Sequence, residues 1–148
     1  SAKRRDMRLI TVVLGASNDE ARARESQRLL SYGFRYFDTQ VLYSTGETIK
    51  ANAKLWYGED EFLNLPVADD VTLTFPRGSE KNLKAAVVLN KVIKAPITAG
   101  QVLGNLQVSL NEEILVDVPL VAEKDIAESG IFAQLFDWII LFFTELLS

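Results

Sequence analysis

Val102-Leu-Gly-Asn-Leu-Gln-Val-Ser-Leu110, then Asn111-Glu-Glu113, then Ile114-Leu-Val-Asp-Val-Pro-Leu-Val121, carries the plainest structural pattern in the chain. Apolar and polar residues alternate on both sides of a polar triplet, the pattern of two strands joined by a hairpin connection. The same period of two begins upstream, near Val41. Ile49, Ala51, Ala53, Leu55 and Tyr57 occupy every second position, as do Val71, Leu73 and Phe75. Gly46, Gly58, Pro66, Gly78, Pro96, Gly100 and Gly104 mark turns at short intervals. Many short strands with such punctuation predict a small antiparallel sandwich or barrel.

The N-terminal part reads differently. Met7-Arg-Leu-Ile-Thr-Val-Val-Leu-Gly15 is a short apolar run expected to form a buried strand. Lys3-Arg-Arg5 before it reads as a hairpin tip rather than a nucleic-acid patch. Ser17, Asn18 or Asp19 can cap a following helix, with Glu20 in its first turn, where the helix dipole favours an acid. Helical spacing runs on to Tyr32, with Glu25 and Arg28 placed for a solvated contact and Gly33 as the expected C′ residue. A strand and one helix cannot close a core alone, so this part reads as the end of a larger domain.

The far end is a third kind of sequence. In Ile131-Phe-Ala-Gln-Leu-Phe-Asp-Trp-Ile-Ile-Leu-Phe-Phe-Thr-Glu-Leu-Leu-Ser148, Gln134, Asp137, Thr144, Glu145 and Ser148 fall on one helical stripe, while apolar residues fill the rest. A bilayer span needs about 20 mostly apolar residues. Asp137 and Glu145 interrupt this one, so it is expected to lie in a membrane interface through Phe132, Leu135, Phe136, Trp138, Ile139, Phe142, Phe143 and Leu146. A helix docked on the body's own core, or one that dimerises, is the alternative. No Lys or Arg follows Lys124, so attraction to anionic headgroups contributes nothing here.

Composition narrows the chemistry. A net charge of −4 argues against nucleic acid as a partner. Residues 1–40 hold eight basic and five acidic side chains, and the remainder eight and fifteen, a shift that suggests two units. The 148 residues contain no Cys and no His, which removes thiol nucleophiles, disulfides, His bases and nearly all zinc sites. No metal site and no cofactor is expected. The opening Ser1-Ala-Lys3, without Met, is expected of a processed, cleaved or truncated chain.

Catalytic motifs are missing. Without His, a serine nucleophile needs a Lys base, yet the sequence contains neither Ser-x-x-Lys nor Lys-Thr-Gly. Ser109-Leu-Asn111 is turn chemistry at a strand end. Asp69-Asp70 and Glu59-Asp-Glu61 read as solvated loop acids, and Arg77-Gly78 as a turn whose Arg is also suited to a phosphate or carboxylate. No residue of this chain is assigned a catalytic role.

In order and spacing, the chain resembles the C-terminal half of the low-molecular-mass penicillin-binding proteins, the serine D-alanyl-D-alanine carboxypeptidases of Gram-negative bacteria. Met7–Gly15 carries the resemblance, with Arg24-Glu-Ser-Gln-Arg-Leu-Leu-Ser-Tyr-Gly-Phe-Arg-Tyr-Phe37, Leu73-Thr-Phe-Pro-Arg-Gly78, Ala95-Pro-Ile97, Gly100-Gln-Val-Leu-Gly104 and Pro119-Leu-Val121. It implies an α+β fragment over 1–38, the last strands and C-terminal helix of a transpeptidase- or β-lactamase-like catalytic domain. A small all-β sandwich, the pedestal domain, would follow over 40–126, and an amphipathic anchoring helix over 130–148.

The implied function is that of the whole enzyme: trimming peptidoglycan stem peptides through a Ser acyl-enzyme, at the periplasmic face of the inner membrane. The nucleophile and the Lys-Thr-Gly strand would lie upstream, so this chain alone is expected to be inactive. Arg22 matches the position of a helix-start Arg that helps hold the substrate carboxylate; a surface Arg is the alternative. The implied partners are a peptidoglycan pentapeptide through the missing catalytic half, the inner-membrane surface through the tail, and the N-terminal part of the same protein. A non-enzymatic envelope-associated β-domain that binds a protein or peptidoglycan is the competing reading.

Overall fold

The computed structural model describes the backbone of residues 1–148 and every side chain except that of Phe132. The chain forms two compact units that do not follow chain order. Residues 1–42 and 72–83 make the first, and residues 43–71 and 84–148 the second. The strands are short and fall into four small sheets, accompanied by two α-helices.

In the first unit, β1 (Ala2–Arg4) and β2 (Met7–Leu9) form an antiparallel hairpin with Arg4 opposite Met7. Arg5 and Asp6 make its turn, Arg5 at a φ of 51°. The apolar run expected as a buried strand to Gly15 is a strand to Leu9 alone. Met7 is buried, whereas Ile10, Val12 and Leu14 are 73–88% exposed. Ala2 is the partner of Leu9, and beyond that pair no described strand lies opposite the run.

Next comes α1 (Asp19–Tyr36). Asn18 caps it, its side chain accepting from the N–H of Ala21 at 2.7 Å, an arrangement worth about 1 kcal/mol. Gly33, expected to end the helix, lies within it, and the N–H of Phe37 reaches back to the carbonyl of Gly33. The glycine is there for packing: a Cβ at this position would collide with the side chain of Leu9. β3 (Phe37–Tyr43) pairs with β6 (Val71–Pro76), where Leu73 and Phe75 are buried as the alternation predicts.

The second unit contains β4 (Thr48–Lys54), β5 (Phe62–Pro66) and a three-stranded sheet ordered β7 (Leu83–Leu89), β8 (Val102–Leu110), β9 (Glu113–Val121). The β8–β9 hairpin turns at Asn111 and Glu112, both at positive φ, as a two-residue turn matched to the strand twist requires. The alternation expected through Ile49–Tyr57 is broken. Two register shifts in β4, with Asn52 at a φ of 53°, leave Ala51 exposed and bury Ala53 and Leu55. Leu55, Leu65, Val67, Leu106, Val108 and Leu120, each no more than 2% exposed, form the heart of this unit's core. The chain ends in α2 (Ile131–Leu147).

Candidate functional site

Tyr57 is where two hydrogen bonds from the tail meet its unit. Residues 93–97 are bonded on one side to Trp56, whose N–H reaches Ile93 and whose carbonyl accepts from Ala95. On the other side, Ile97 and Ile126 exchange both backbone hydrogen bonds at 2.9 Å. This ladder brings residues 126–129 beside residues 57–59. There the carbonyl of Tyr57 accepts from the N–H of Ser129 at 2.7 Å, and the N–H of Tyr57 donates to Oδ2 of Asp137 at 2.8 Å. Tyr57 sits at a φ of 62°, the left-handed region. In that geometry both its backbone polar groups are satisfied by the tail.

This sets the orientation of α2. Gln134, Asp137 and Leu141 lie three and four residues apart and share one face. Leu141 is 6% exposed, and the amide of Gln134 donates to the carbonyl of Ser129 at 2.7 Å. A shallow concavity of about 270 Å³ between Tyr57, Ala95, Glu128, Gln134 and Trp138 marks the seam. The polar groups at the start of the stripe thus face protein. Thr144 turns its hydroxyl onto the carbonyl of Ile140.

The apolar residues face out. Leu135, Phe136, Trp138, Ile140, Phe142, Phe143 and Leu146 are all more than half exposed, and Ile139 is 39% exposed. Trp138 stacks on Phe142 at 5.8 Å, and Phe142 meets Phe143 edge to face. Of the residues expected to contact a membrane, the side chain of Phe132 lies outside those described. No helix among the described residues is long and apolar enough to cross a membrane.

Arg22 is on the first turn of α1, where its Nη1 donates to Asp19 at 2.9 Å; both side chains are largely exposed. Arg24 approaches Glu20, and among the described residues these pairs, not Glu25 with Arg28, are the ion pairs of the helix. Asp70 holds the turn at Thr45, accepting from its N–H and hydroxyl at 2.7 and 2.8 Å, and these bonds, the backbone one first, keep its carboxyl below the ordinary range. Asp60 pairs with Lys124 at 2.6 Å, which raises the lysine's pKa. Ser109 lies near the end of β8 and Asn111 in the β8–β9 turn itself, turn chemistry as expected. No cluster of three or more metal-ligating side chains occurs among the described residues.

Two features escaped the reading of the sequence. One is the role of Tyr57, because backbone groups leave no mark on a sequence. The other is a group of arginines gathered on Phe34, to which Arg77 donates at 3.2 Å.

Comparison with known proteins bears on this geometry. Residues 37–128 match the family described as penicillin-binding protein 5, C-terminal domain. D-alanyl-D-alanine carboxypeptidase DacC of Escherichia coli is 37% identical over 98% of this chain and 36% of its own length. DacA of the same species is 38% identical over 97% and 36%. Penicillin binding protein 5 from Haemophilus influenzae superposes with a TM-score of 0.69 at 29% identity, over 74% of this chain and 32% of that one. The chain thus spans about a third of the length of the relatives it matches.

Proposed function

Since this chain belongs to the penicillin-binding protein 5 C-terminal domain family, we propose that it is the C-terminal part of a D-alanyl-D-alanine carboxypeptidase acting on peptidoglycan stem peptides. In this reading residues 1–38 complete a transpeptidase-like catalytic domain, residues 40–126 are a pedestal, and 130–148 anchor the protein at the periplasmic face of the inner membrane. The nucleophilic Ser and its Lys base come from the rest of the enzyme, since this chain holds no Ser-x-x-Lys and no Lys-Thr-Gly. Its own part in the reaction is to support and position. Arg22 contributes a guanidinium fork toward the substrate carboxylate, with Asp19 orienting it.

Two surfaces support this assignment. Ile10, Val12 and Leu14, with Leu29 and Tyr32 of α1, expose apolar area that the N-terminal part of the same protein would cover. Burying each large side chain fully is worth about 1.5–3 kcal/mol.

The anchor reading rests on a single observation: α2 is inverted relative to a helix that covers a core. Its polar residues Gln134 and Asp137 are turned to the protein with Leu141, while Leu135, Phe136, Trp138, Ile140, Phe142, Phe143 and Leu146 are turned to solvent. Such a face binds by apolar burial in the interfacial plane. The test is co-sedimentation of the full chain with vesicles of zwitterionic phosphatidylcholine, alone or with one-third anionic phosphatidylglycerol. Comparable binding to both is expected. No binding to either would overturn the anchor reading and leave the family assignment intact.

A further inference from the structure

The β1–β2 hairpin tip, the end of α1 and the turn after β6 enclose a second concavity, of about 440 Å³. Arg4, Arg5, Asp6, Phe34, Asp38 and Arg77 are among the residues that line it. Phe34, 7% exposed, organises two of the arginines. The guanidinium of Arg4 lies over its ring, 4.9 Å from the centroid, and Nη2 of Arg77 donates to its carbonyl. Arg77 thereby satisfies an orphan carbonyl in the last turn of α1, where a cation is favoured.

These contacts explain where the arginines sit but do not consume their donors. A guanidinium has five N–H groups, and a ring face takes none of them. Arg4, Arg5 and Asp6 form no ion pair among the described residues, and Arg77 and Asp38 approach to 3.8 Å, beyond hydrogen-bond length. The result is three cations and two carboxylates facing one space with their pairing incomplete. A bare anion would meet Asp6 and Asp38, and a bare cation would meet the arginines. A molecule with both charges satisfies both sets.

We propose that this concavity binds a free α-amino acid, its carboxylate on the Arg4 and Arg77 guanidiniums and its ammonium toward Asp38 and Asp6. Carboxylate and guanidinium match as planar forks, and the packing on Phe34 lowers the ordering cost of two long side chains. The proposal does not rest on the carboxypeptidase reading, which gives none of these lining residues a role.

The experiment is a titration of the ¹⁵N-labelled full chain, following the amides of Asp6, Thr39 and Gly78. The probes are D-alanine, propionate and ethylamine, the last two each lacking one charged group of the first. D-alanine is expected to give saturable shifts, and each single-charge analogue to bind about tenfold more weakly, the loss of roughly one charge-assisted hydrogen bond. R4Q and D38N should each weaken D-alanine by a similar factor with the rest of the spectrum unchanged. R24Q, on an exposed face of α1 outside this concavity, should not. Non-saturating shifts, equal binding of propionate, or unchanged affinity in R4Q would each overturn the proposal.

Discussion

The backbone N–H of Tyr57 donates to the carboxylate of Asp137 over 2.8 Å, although the two residues are eighty apart in sequence. A charged acceptor on a partly buried backbone donor is the stronger kind of hydrogen bond. Removing it leaves the donor unpaired, at a cost of about 1–3 kcal/mol. D137A is therefore expected to release α2 from its unit while the β-strands stay folded. Faster exchange of the Tyr57 amide and easier proteolysis near Gly130 would show this, and D137N, which retains an acceptor oxygen, should fall in between.

Outward residues of α2 should behave in the opposite way. Phe136 is 69% exposed and Leu146 68%. F136S and L146S are expected to leave the melting temperature unchanged and to weaken vesicle binding by about 1.5–3 kcal/mol each. An equal loss of thermal stability would show that these side chains serve the fold instead.

Gly104 is constrained by a neighbouring backbone. A Cβ there would lie 2.7 Å from the carbonyl oxygen of Val88, and a carbonyl in a sheet cannot rotate aside as a side chain can. G104A should destabilise the chain by about 1–3 kcal/mol, read as a fall in melting temperature of about 2–4 °C per kcal/mol.

Two carboxylates should contribute to acid sensitivity. Hydrogen bonds from Thr45 to Asp70, and from Asn105 and Gln107 to Asp117, lower both pKa values. A carboxyl depressed on folding contributes stability above its unfolded pKa of about 3.9 and loses that contribution as pH falls through the folded value. Denaturant midpoints are thus expected to decline below about pH 4, and D70N and D117N to flatten the decline. Profiles superimposable on the parent's would contradict this.

Much of the fold was legible because it depends on period and turn chemistry. The β8–β9 hairpin and the alternation Val71, Leu73, Phe75 are patterns of one strand read by itself. The failures came where a neighbour decides. Met7–Gly15 has the composition of a buried strand, but a strand needs a partner, and its pairing stops at Leu9. Gly33 has the composition of a helix end, but Leu9 claims the space beside it. At the tail, the polar stripe was visible in the residues, while the direction it faces was fixed by a backbone N–H with no sequence signature.

The double hold on Tyr57 has a mechanical side. Ser129 grips its carbonyl and Asp137 its N–H, one from the segment before α2 and one from within the helix. A pull on the end of α2 meets the Asp137 bond first and, passed back along the helix, the Ser129 bond after it, both of them on one residue joined to the ladder of Trp56, Ala95 and Ile97. A chain tugged by its last helix would resist as a riveted joint does, until both bonds part and the tail comes away as a tether.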